Sequence, residues 1–336
     1  MENNNILNNQ ISNLLEKSIS SGEIKVLSQK DIPLLVQIAS TLPLAENTLD
    51  NNSEMIFVAA PTGAGKDTLV RKITSHTPDK EYVILNMDMF RHYYPSIEPE
   101  KEVHDKNFAL ETNEISYEIY YLIEELILNY YNNTHVILTG TIKDTPWIEN
   151  ILQKYKKNNY NISISALAVP YLESAFSIFE RYLHLVDAEQ ESNDDFPIRF
   201  TSLSYHDQTF EAFSSSLNHF ETSMQNNPNK LLDSISVYKR DKSMEDLSED
   251  TLLYSSTTIS ETTATNVVNS ILNSSHSIDC NRFSNLLNLV KKHANYLKNQ
   301  DLYLEIIKSL KKIYQLDERN QKPLFENISQ NIIEFE

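Results

Sequence analysis

The segment best suited to chemistry is Ala60–Thr68, which reads Ala-Pro-Thr-Gly-Ala-Gly-Lys-Asp-Thr. The apolar run Met55–Ala60 leads into it and predicts a buried strand, and the residues after Lys66 have helical periodicity. Small residues in such a turn let backbone N–H groups converge on phosphate oxygens, while the helix N-terminus and the lysine add positive charge. The pattern predicts a nucleotide phosphate loop with these binding residues: Thr62, Gly63, Ala64, Gly65, Lys66, Asp67 and Thr68.

Glycine usage supports this interpretation. The chain contains 4 glycines, whereas average usage would give about 24 in a protein of this length. Gly63 and Gly65 are two of them. Their use within three residues indicates a loop whose backbone must carry no side chains at these positions.

The loop departs from the pattern G-x-x-x-x-G-K-[ST] at two positions. Ala60 replaces the first glycine, and Asp67 replaces the hydroxyl residue that binds Mg²⁺. A carboxylate can bind Mg²⁺, but it also brings negative charge beside the phosphates. Thr68 is one place later, about 100° around the helix. Asp67 and Thr68 are therefore the metal candidates, and a loop that binds nucleotide or a partner without catalysis stays open.

A second reactive side chain, Asp88, follows the predicted strand Tyr82–Leu85. Ligands of open α/β sheets bind in the crevice beyond the carboxyl ends of the strands. There Asp88 could hold Mg²⁺ or accept a hydroxyl proton during phosphate transfer. Arg91, three residues later, could grip an anionic acceptor with two hydrogen bonds.

Strand-like runs alternate with helical stretches across the middle of the chain, which predicts an α/β fold: a P-loop kinase-like parallel sheet flanked by helices. Helical periodicity without strand signals dominates both ends, so we expect a helical C-terminal extension. The predicted divisions are a helical preface and linker at 1–53, the kinase-like domain at 54–256 and the extension at 257–336. The predicted strands are Met55–Ala60, Tyr82–Leu85, His135–Leu138, Ile162–Val169, Ile235–Tyr238 and Leu252–Tyr254.

Composition narrows the classes of function. A net charge of −18 disfavours nucleic-acid binding, which requires a basic surface, and docking on anionic membranes. The lone Cys280 excludes an internal disulfide. No apolar run of about 18 residues and no signal peptide can be read. We therefore expect a cytoplasmic protein, with delivery into another cell left open.

Six motifs in order resemble the zeta-toxin family of toxin–antitoxin systems, over roughly residues 54–256. The phosphate loop is the first. An Asp-x-x-Arg-x-x-His-Pro element is matched by Asp88, Arg91 and Pro95, with Tyr94 in the histidine place. A Glu-Gly-Thr element is matched by Thr139–Thr141, without the glutamate.

The remaining matches lie later in the chain. Arg181-Tyr182 matches an Arg-Tyr pair on a helix, and Arg199 precedes a His-Asp pair at His206-Asp207. The closing strand pair is matched by Val237–Asp241 and Leu253–Ser256.

The resemblance implies a kinase that uses ATP and Mg²⁺ to phosphorylate the 3′-hydroxyl of a UDP-activated amino sugar, as a toxin or effector. It also allows for an antitoxin-like or regulatory protein partner. The resemblance implies that Asp88 is the catalytic base, that Lys66 binds the phosphates, and that Arg181 and Arg199 stabilise the negative charge that develops during transfer. The small-molecule acceptor is expected to meet residues on three further segments: Arg91, Asn113, Glu118 and Thr141.

Three alternatives remain. A kinase of this fold could act on a nucleotide or dinucleotide, since Tyr94 and Thr139 alter acceptor contacts. The loop could bind nucleotide or a partner without catalysis, given Asp67. A mechanochemical ATPase or GTPase is least favoured, because no Asn-Lys-x-Asp guanine motif is present.

Overall fold

The fold is built on a six-stranded sheet in the order β2-β3-β1-β4-β5-β6. The computed structural model describes residues 2–45, 53–99, 104–192, 198–226, 231–240, 251–257, 262–274 and 278–317. The first five strands are parallel and β6 runs antiparallel to β5. The strands are β1 (Glu54–Ala59), β2 (Tyr82–Leu85), β3 (His135–Gly140), β4 (Asn161–Ala168), β5 (Ser234–Lys239) and β6 (Leu252–Ser255). The predicted α/β sheet is confirmed.

Helices cover the sheet and continue beyond it, as the alternating pattern predicts. They are α1 (Glu2–Ser21), α2 (Ile32–Ser40), α3 (Lys66–His76), α4 (Tyr94–Ile97), α5 (Asp105–Glu111), α6 (Asn113–Tyr130), α7 (Thr145–Lys157), α8 (Tyr171–Ser192), α9 (Leu203–Asn226), α10 (Ala264–Leu272), α11 (Cys280–Lys292), α12 (Ala294–Asn299) and α13 (Tyr303–Asp317). A 3₁₀ segment, Met87–Tyr93, joins β2 to α4. In the described ranges, no helix is long and apolar enough to cross a membrane.

The centre of the sheet determines where chemistry can occur. Strand β1 lies between β3 and β4, and its side chains from Met55 to Ala59 are almost fully buried, because both faces of a parallel sheet are covered. Ala59 pairs with Gly140 at the end of β3. The segments that follow β1, β2 and β3 therefore leave the sheet at one edge, and these segments carry the phosphate loop, Asp88 and Thr141.

The N-terminal helices share the core of the sheet. Apolar side chains of α1 and α2 are buried together with those of α6 and β1. Glu118 on α6 fixes the connection between the two helices: its carboxylate accepts hydrogen bonds from the backbone N–H groups of Lys25, Val26 and Leu27 at 2.7–3.1 Å. Glu118 is 2% exposed, so it anchors the preface from within the protein.

After β6 the described residues form four helices and no further strand, which confirms the predicted helical C-terminal region. Helix α10 packs against α9 and β5 and joins the core of the sheet. Helices α11, α12 and α13 instead bury their apolar side chains against α8, forming a second core. Helix α8 therefore has the sheet domain on one side and the C-terminal helices on the other.

Candidate active site

The phosphate loop depends on its two glycines for different reasons. Gly63 has φ +80° and Gly65 has φ +91°, both in the left-handed region that favours glycine. A Cβ at Gly63 would also lie 2.2 Å from the carbonyl oxygen of Ser174, in the first turn of α8. A Cβ at Gly65 would meet open space. Close approach of α8 thus demands glycine at the first position, and backbone conformation alone favours it at the second.

Neighbouring elements hold the loop from two sides. The Thr62 N–H donates to the hydroxyl of Thr209 on α9 at 3.3 Å. Beyond the end of β5, Arg240 donates to the carbonyl of Gly63 at 3.4 Å and to the hydroxyl of Ser177 at 3.1 Å. The loop backbone is therefore fixed by side chains of α9 and the β5 end before any ligand binds.

Lys66 opens α3 and is partly buried. Its charged neighbours include Asp88, Arg181 and Arg199, and we call the space among these four side chains the cleft. Burial lowers the pKa of Lys66 to about 8; nearby Arg181 and Arg199 act in the same direction, while Asp88 and Asp67 oppose them. A lysine in this state gains from any anion that replaces the lost hydration. Of the two metal candidates beside it, Asp67 is exposed in the first turn of α3, and the Thr68 hydroxyl accepts a hydrogen bond from Arg71 at 3.2 Å.

Asp88 lies in the 3₁₀ segment after β2, where its N–H donates to the side chain of Asn86. One carboxylate oxygen accepts a hydrogen bond from Arg91 Nε at 2.9 Å, and the other pairs with Arg199. Burial works against ionisation of this carboxyl, but Arg199, Arg91 and Lys66 hold its pKa below the usual value. With 48% of its side chain exposed, Asp88 is an ionised carboxylate that a ligand can reach.

Arg91 is largely committed within the protein. It is 6% exposed, and it donates to Asp88, to the carbonyl of Ala109 at 2.7 Å, to the hydroxyl of Thr112 at 2.8 Å and to Asn113 Oδ1 at 3.2 Å. Four of the five N–H groups of an arginine are thereby used. Arg91 therefore orients Asp88 and Asn113. Only one of its N–H groups is left for the contact with the acceptor that the sequence predicts.

The two other arginines face the same cleft. Arg181, on α8, lies 3.5 Å from the hydroxyl of Thr201, and its pKa is lowered by burial and by neighbouring Arg199. Arg199 precedes α9, and its Nε is a buried donor with no hydrogen-bond partner among the described residues. Two mutually repelling guanidinium groups with an unused donor provide the positive potential that phosphate oxygens require.

A pocket of about 460 Å³ opens beside this cluster. Its walls come from the 3₁₀ segment, α5, the start of α6, the segment from Arg199 into α9, and α13: Arg91, Lys106, Asn107, Ala109, Leu110, Asn113, Arg199, Phe200, Thr201, Ser202, Tyr205 and Glu305. Glu305 belongs to the C-terminal helices and has no polar partner among the described residues.

The predicted site residues thus fall into two groups. The structure brings together Lys66, Asp88, Arg181 and Arg199 around the phosphate loop, and Asn113 lines the adjoining pocket. Thr141 follows β3 at the same sheet edge, where the carbonyl of Gly140 accepts from the loop residue Ala60.

Glu118 stands apart from both groups. The expectation that it binds substrate gains no support from its position, because both of its oxygens accept N–H groups of the N-terminal segment.

Nothing in the sequence singles out Lys106, Tyr205 or Glu305 as pocket residues. Lys106 and Tyr205 lie outside any motif, and Glu305 is one charge on an ordinary amphipathic helix. Arg240 falls within the strand motif Val237–Asp241, but its contact with the phosphate loop requires the sheet to be assembled.

The described side chains alone do not form a complete Mg²⁺ site. Across the described ranges, no group of three or more His, Cys, Asp or Glu side chains forms a metal site. Mg²⁺ in nucleotide sites is commonly held by one or two carboxylates together with phosphates and water, so the donor set of Asp67, Thr68 and Asp88 fits this mode.

Known proteins resemble this chain in sequence pattern and in fold. The family model described as Zeta toxin matches residues 44–251. Among solved structures, a chain from the PezAT chromosomal toxin–antitoxin system of Streptococcus pneumoniae is similar with a TM-score of 0.56 and 17% identity, covering 81% of this chain and 98% of that one. This likeness supports the fold.

Two further similar structures are complexes of AvrRxo1-ORF1 with AvrRxo1-ORF2. The one with sulphate ions has a TM-score of 0.48 at 12% identity, and the one with ATP has 0.47 at 14% identity; each covers 81% of this chain and 83% of the other. No curated protein matches the chain by sequence. The family match spans well over half of the 336 residues, and the chain therefore belongs to the zeta toxin family of kinase-like phosphotransferases.

Proposed function

We propose that this P-loop phosphotransferase transfers the γ-phosphate of ATP to a hydroxyl of a UDP-N-acetyl amino sugar. One observation carries the proposal: the exposed carboxylate of Asp88 lies in a cleft with Lys66, Arg181 and Arg199. A base surrounded by three cations suits transfer of a phosphoryl group to a neutral hydroxyl, because the charge that develops is negative.

On the donor side, the N–H groups of the loop and Lys66 would bind the β- and γ-phosphates. Asp67 and Thr68 would hold Mg²⁺, which when bound neutralises charge on the phosphates. Asp67 is exposed at the start of α3, so it can turn toward a metal without breaking a contact with a described residue.

In the transfer step, the acceptor oxygen forms a bond to the γ-phosphorus while the bond from that phosphorus to the ADP oxygen breaks. Asp88 accepts the hydroxyl proton, and Arg181 and Arg199 stabilise the equatorial oxygens. Arg199 is already paired with Asp88. As the substrates enter, the phosphate would replace Asp88 as the partner of Arg199, and the acceptor hydroxyl would replace Arg199 as the partner of Asp88. Arg91 keeps Asp88 in place during the exchange.

The pocket beside Asp88 is the proposed acceptor site. A volume of about 460 Å³ lies within the usual range of roughly 300–1,000 Å³ for small-molecule sites. Lys106 and Arg199 offer charge to a diphosphate, Tyr205 offers a ring to a base, and Asn113 and Glu305 offer hydrogen bonds to hydroxyl or amide groups. Thr141 would meet the acceptor near the loop.

A nucleotide or dinucleotide acceptor is the second candidate, and two positions favour it. Tyr94, which stands where the family pattern has histidine, is 3% exposed and packs in the core. Thr139, in place of the family glutamate, has a buried hydroxyl without a hydrogen-bond partner among the described residues. Both changes remove from the acceptor side polar groups that the family pattern supplies.

Mass spectrometry of reactions with ATP and Mg²⁺ tests the function. UDP-N-acetylglucosamine, UMP and NAD are supplied separately, with Lys66→Ala as the inactive control. We expect a mass gain of one phosphate on the UDP-sugar with wild type alone. Phosphorylation of UMP or NAD instead would keep the mechanism and replace the acceptor, and absence of both transfer and ATP binding would refute the kinase.

We also propose an antitoxin-like protein partner and action in the cytoplasm, where ATP and UDP-sugars are found. The toxin–antitoxin origin of the structure from Streptococcus pneumoniae supports the partner. Induced expression of wild type and Asp88→Asn in a bacterial cytoplasm tests the toxicity. Growth arrest by the wild type alone is expected, and equal growth of both strains would contradict it.

A further inference from the structure

Arg282 joins the C-terminal helices to the helix that packs on the phosphate loop. It lies on α11, outside the region that matches the family. Its guanidinium donates to both oxygens of Glu173 at 3.0–3.1 Å and to both oxygens of Glu180 at 2.7–3.2 Å, and it lies 5.2 Å from the ring of Phe176. Arg282 therefore binds two positions of α8 that lie about two turns apart.

The charged contacts continue from Glu173 to the phosphate loop. Glu173 also pairs with Arg240 at 3.6 Å, and Arg240 donates to the carbonyl of Gly63. The side chains of Glu173 and Arg240 are only 11% and 14% exposed. An alternating series of charges thus runs from α11 through α8 and the end of β5 to the backbone of the loop.

The same turns of α8 carry two features of the active site. The carbonyl oxygen of Ser174, next to Glu173, is the atom that a Cβ at Gly63 would meet at 2.2 Å. Arg181 follows Glu180 directly. A small shift of this end of α8 would therefore change both the space available to the loop and the direction of Arg181.

We propose that Arg282 is a positioning residue, through which the C-terminal extension holds α8 and Arg240 in the arrangement that binds ATP. The physical basis is charge balance in a mostly buried network. Without Arg282, Glu173 would lose one cationic partner, and its stronger attraction for Arg240 would draw Arg240 from the carbonyl of Gly63. Buried charges that lose a partner reorganise or admit water, because leaving them unpaired is costly. The inference rests on the proposed use of ATP.

The test compares two substitutions on the same helix, in the full-length protein. Arg282→Met removes the contact that leads to the loop. Lys292→Met removes a different ion pair between α11 and α8, Lys292–Asp187 at 2.5 Å, which lies further along both helices. ATP affinity with Mg²⁺ is measured by calorimetry, and KM for ATP and kcat are measured separately.

We expect Arg282→Met to weaken ATP binding by about tenfold, the scale of one lost charged contact, while Lys292→Met stays within about twofold of wild type. Arg282→Lys keeps a charge but cannot bind both carboxylates with paired hydrogen bonds, so we expect it to fall between Arg282→Met and wild type. A purely stabilising role would lower the melting temperature of both methionine variants and leave the ATP affinity of the folded fraction unchanged.

Two results would overturn the inference alone: ATP affinity of Arg282→Met equal to that of wild type, or equal weakening by Lys292→Met. A wild type that binds no ATP would instead refute the proposed function, and the role of Arg282 with it. Should Arg282→Met fail to fold, Glu173→Gln interrupts the same series at its centre with a side chain of the same size. ATP affinity unchanged in Glu173→Gln would equally refute the inference.

Discussion

Asp88 and Arg199 form an ion pair that joins the segment after β2 to the segment before α9. Arg91 fixes the other carboxylate oxygen at 2.9 Å, while Arg199 keeps a buried Nε without a partner among the described residues. The pair is thus asymmetric: each oxygen of Asp88 contacts one arginine, whereas Arg199 has a donor that no described residue uses. In the proposed mechanism, a phosphate that enters the cleft pairs with Arg199, and the oxygen of Asp88 that Arg199 releases becomes available to accept a proton.

We expect Asp88→Asn to leave ATP affinity almost unchanged while kcat falls by roughly 10²–10⁴, because a general base acts only during transfer. ATP titration by calorimetry and turnover of the acceptor are measured for both proteins. A metal ligand would behave differently, since its loss raises the Mg²⁺ requirement. Weakened ATP binding that extra Mg²⁺ restores would defeat the base assignment.

Substitution of the two loop glycines should have unequal effects. Gly63→Ala places a methyl group 2.2 Å from the Ser174 carbonyl, a backbone atom that cannot move alone, whereas Gly65→Ala meets open space. We expect Gly63→Ala to weaken ATP binding by at least about tenfold more than Gly65→Ala, since overpacking costs typically 1–3 kcal/mol beyond the strain of a positive φ. Calorimetry with ATP compares the variants. Equal losses would mean that α8 does not restrict the loop.

Glu118→Ala should lower stability without changing acceptor kinetics. Three backbone N–H groups lose a charged acceptor inside the protein, so we expect a loss of about 2–3 kcal/mol in the free energy of unfolding. Glu114→Ala, an exposed glutamate one turn earlier on α6, is the matched control. Urea unfolding and KM for the acceptor are measured. A raised KM with normal stability would restore Glu118 to the acceptor site.

Stability should fall as the pH is lowered because of His206, which is fully buried beside Ser174 and Asp207. Burial lowers its pKa below the usual 6.5, although Asp207 opposes the shift. The unfolded chain therefore takes up a proton more readily, so stability is retained above about pH 6.5 and lost as pH falls below that value.

The variant His206→Gln removes this titration, so we expect a smaller decrease in its urea midpoint between pH 7 and pH 5. Thermal unfolding at pH 7 confirms that the variant folds. The same decrease in both proteins would assign the acid sensitivity to other groups.

The phosphate loop could be predicted from sequence because phosphate binding requires backbone conformations that favour glycine, and glycines are visible in the sequence. The strands could be predicted because both faces of a parallel sheet are apolar, and the observed strands start and end within two residues of the predicted ones. Placing Asp88 at the loop then required only that parallel strands end at one edge. The boundaries at residues 53 and 256 stay predictions.

Side-chain partners were much harder to predict. Arg91 and Glu118 are charged residues at reasonable positions, yet the protein itself takes up most of their hydrogen bonds. Sequence periodicity indicates which face of a helix is apolar, but not which backbone N–H groups from a distant segment meet a carboxylate on it. Glu305 shows the converse, because its helix reaches the pocket only through the packing of α13 on α8.

The second core, shared by α8 and the C-terminal helices, has a consequence for any shortened form of the protein. Phe176, Phe179 and Leu183 on α8 are buried in this core. A proteolytic fragment that ends between β6 and α11 would keep every catalytic candidate and still expose this apolar face of α8 to water. Such a fragment would aggregate or recruit chaperones, so cleavage between β6 and α11 would inactivate the enzyme without touching its active site.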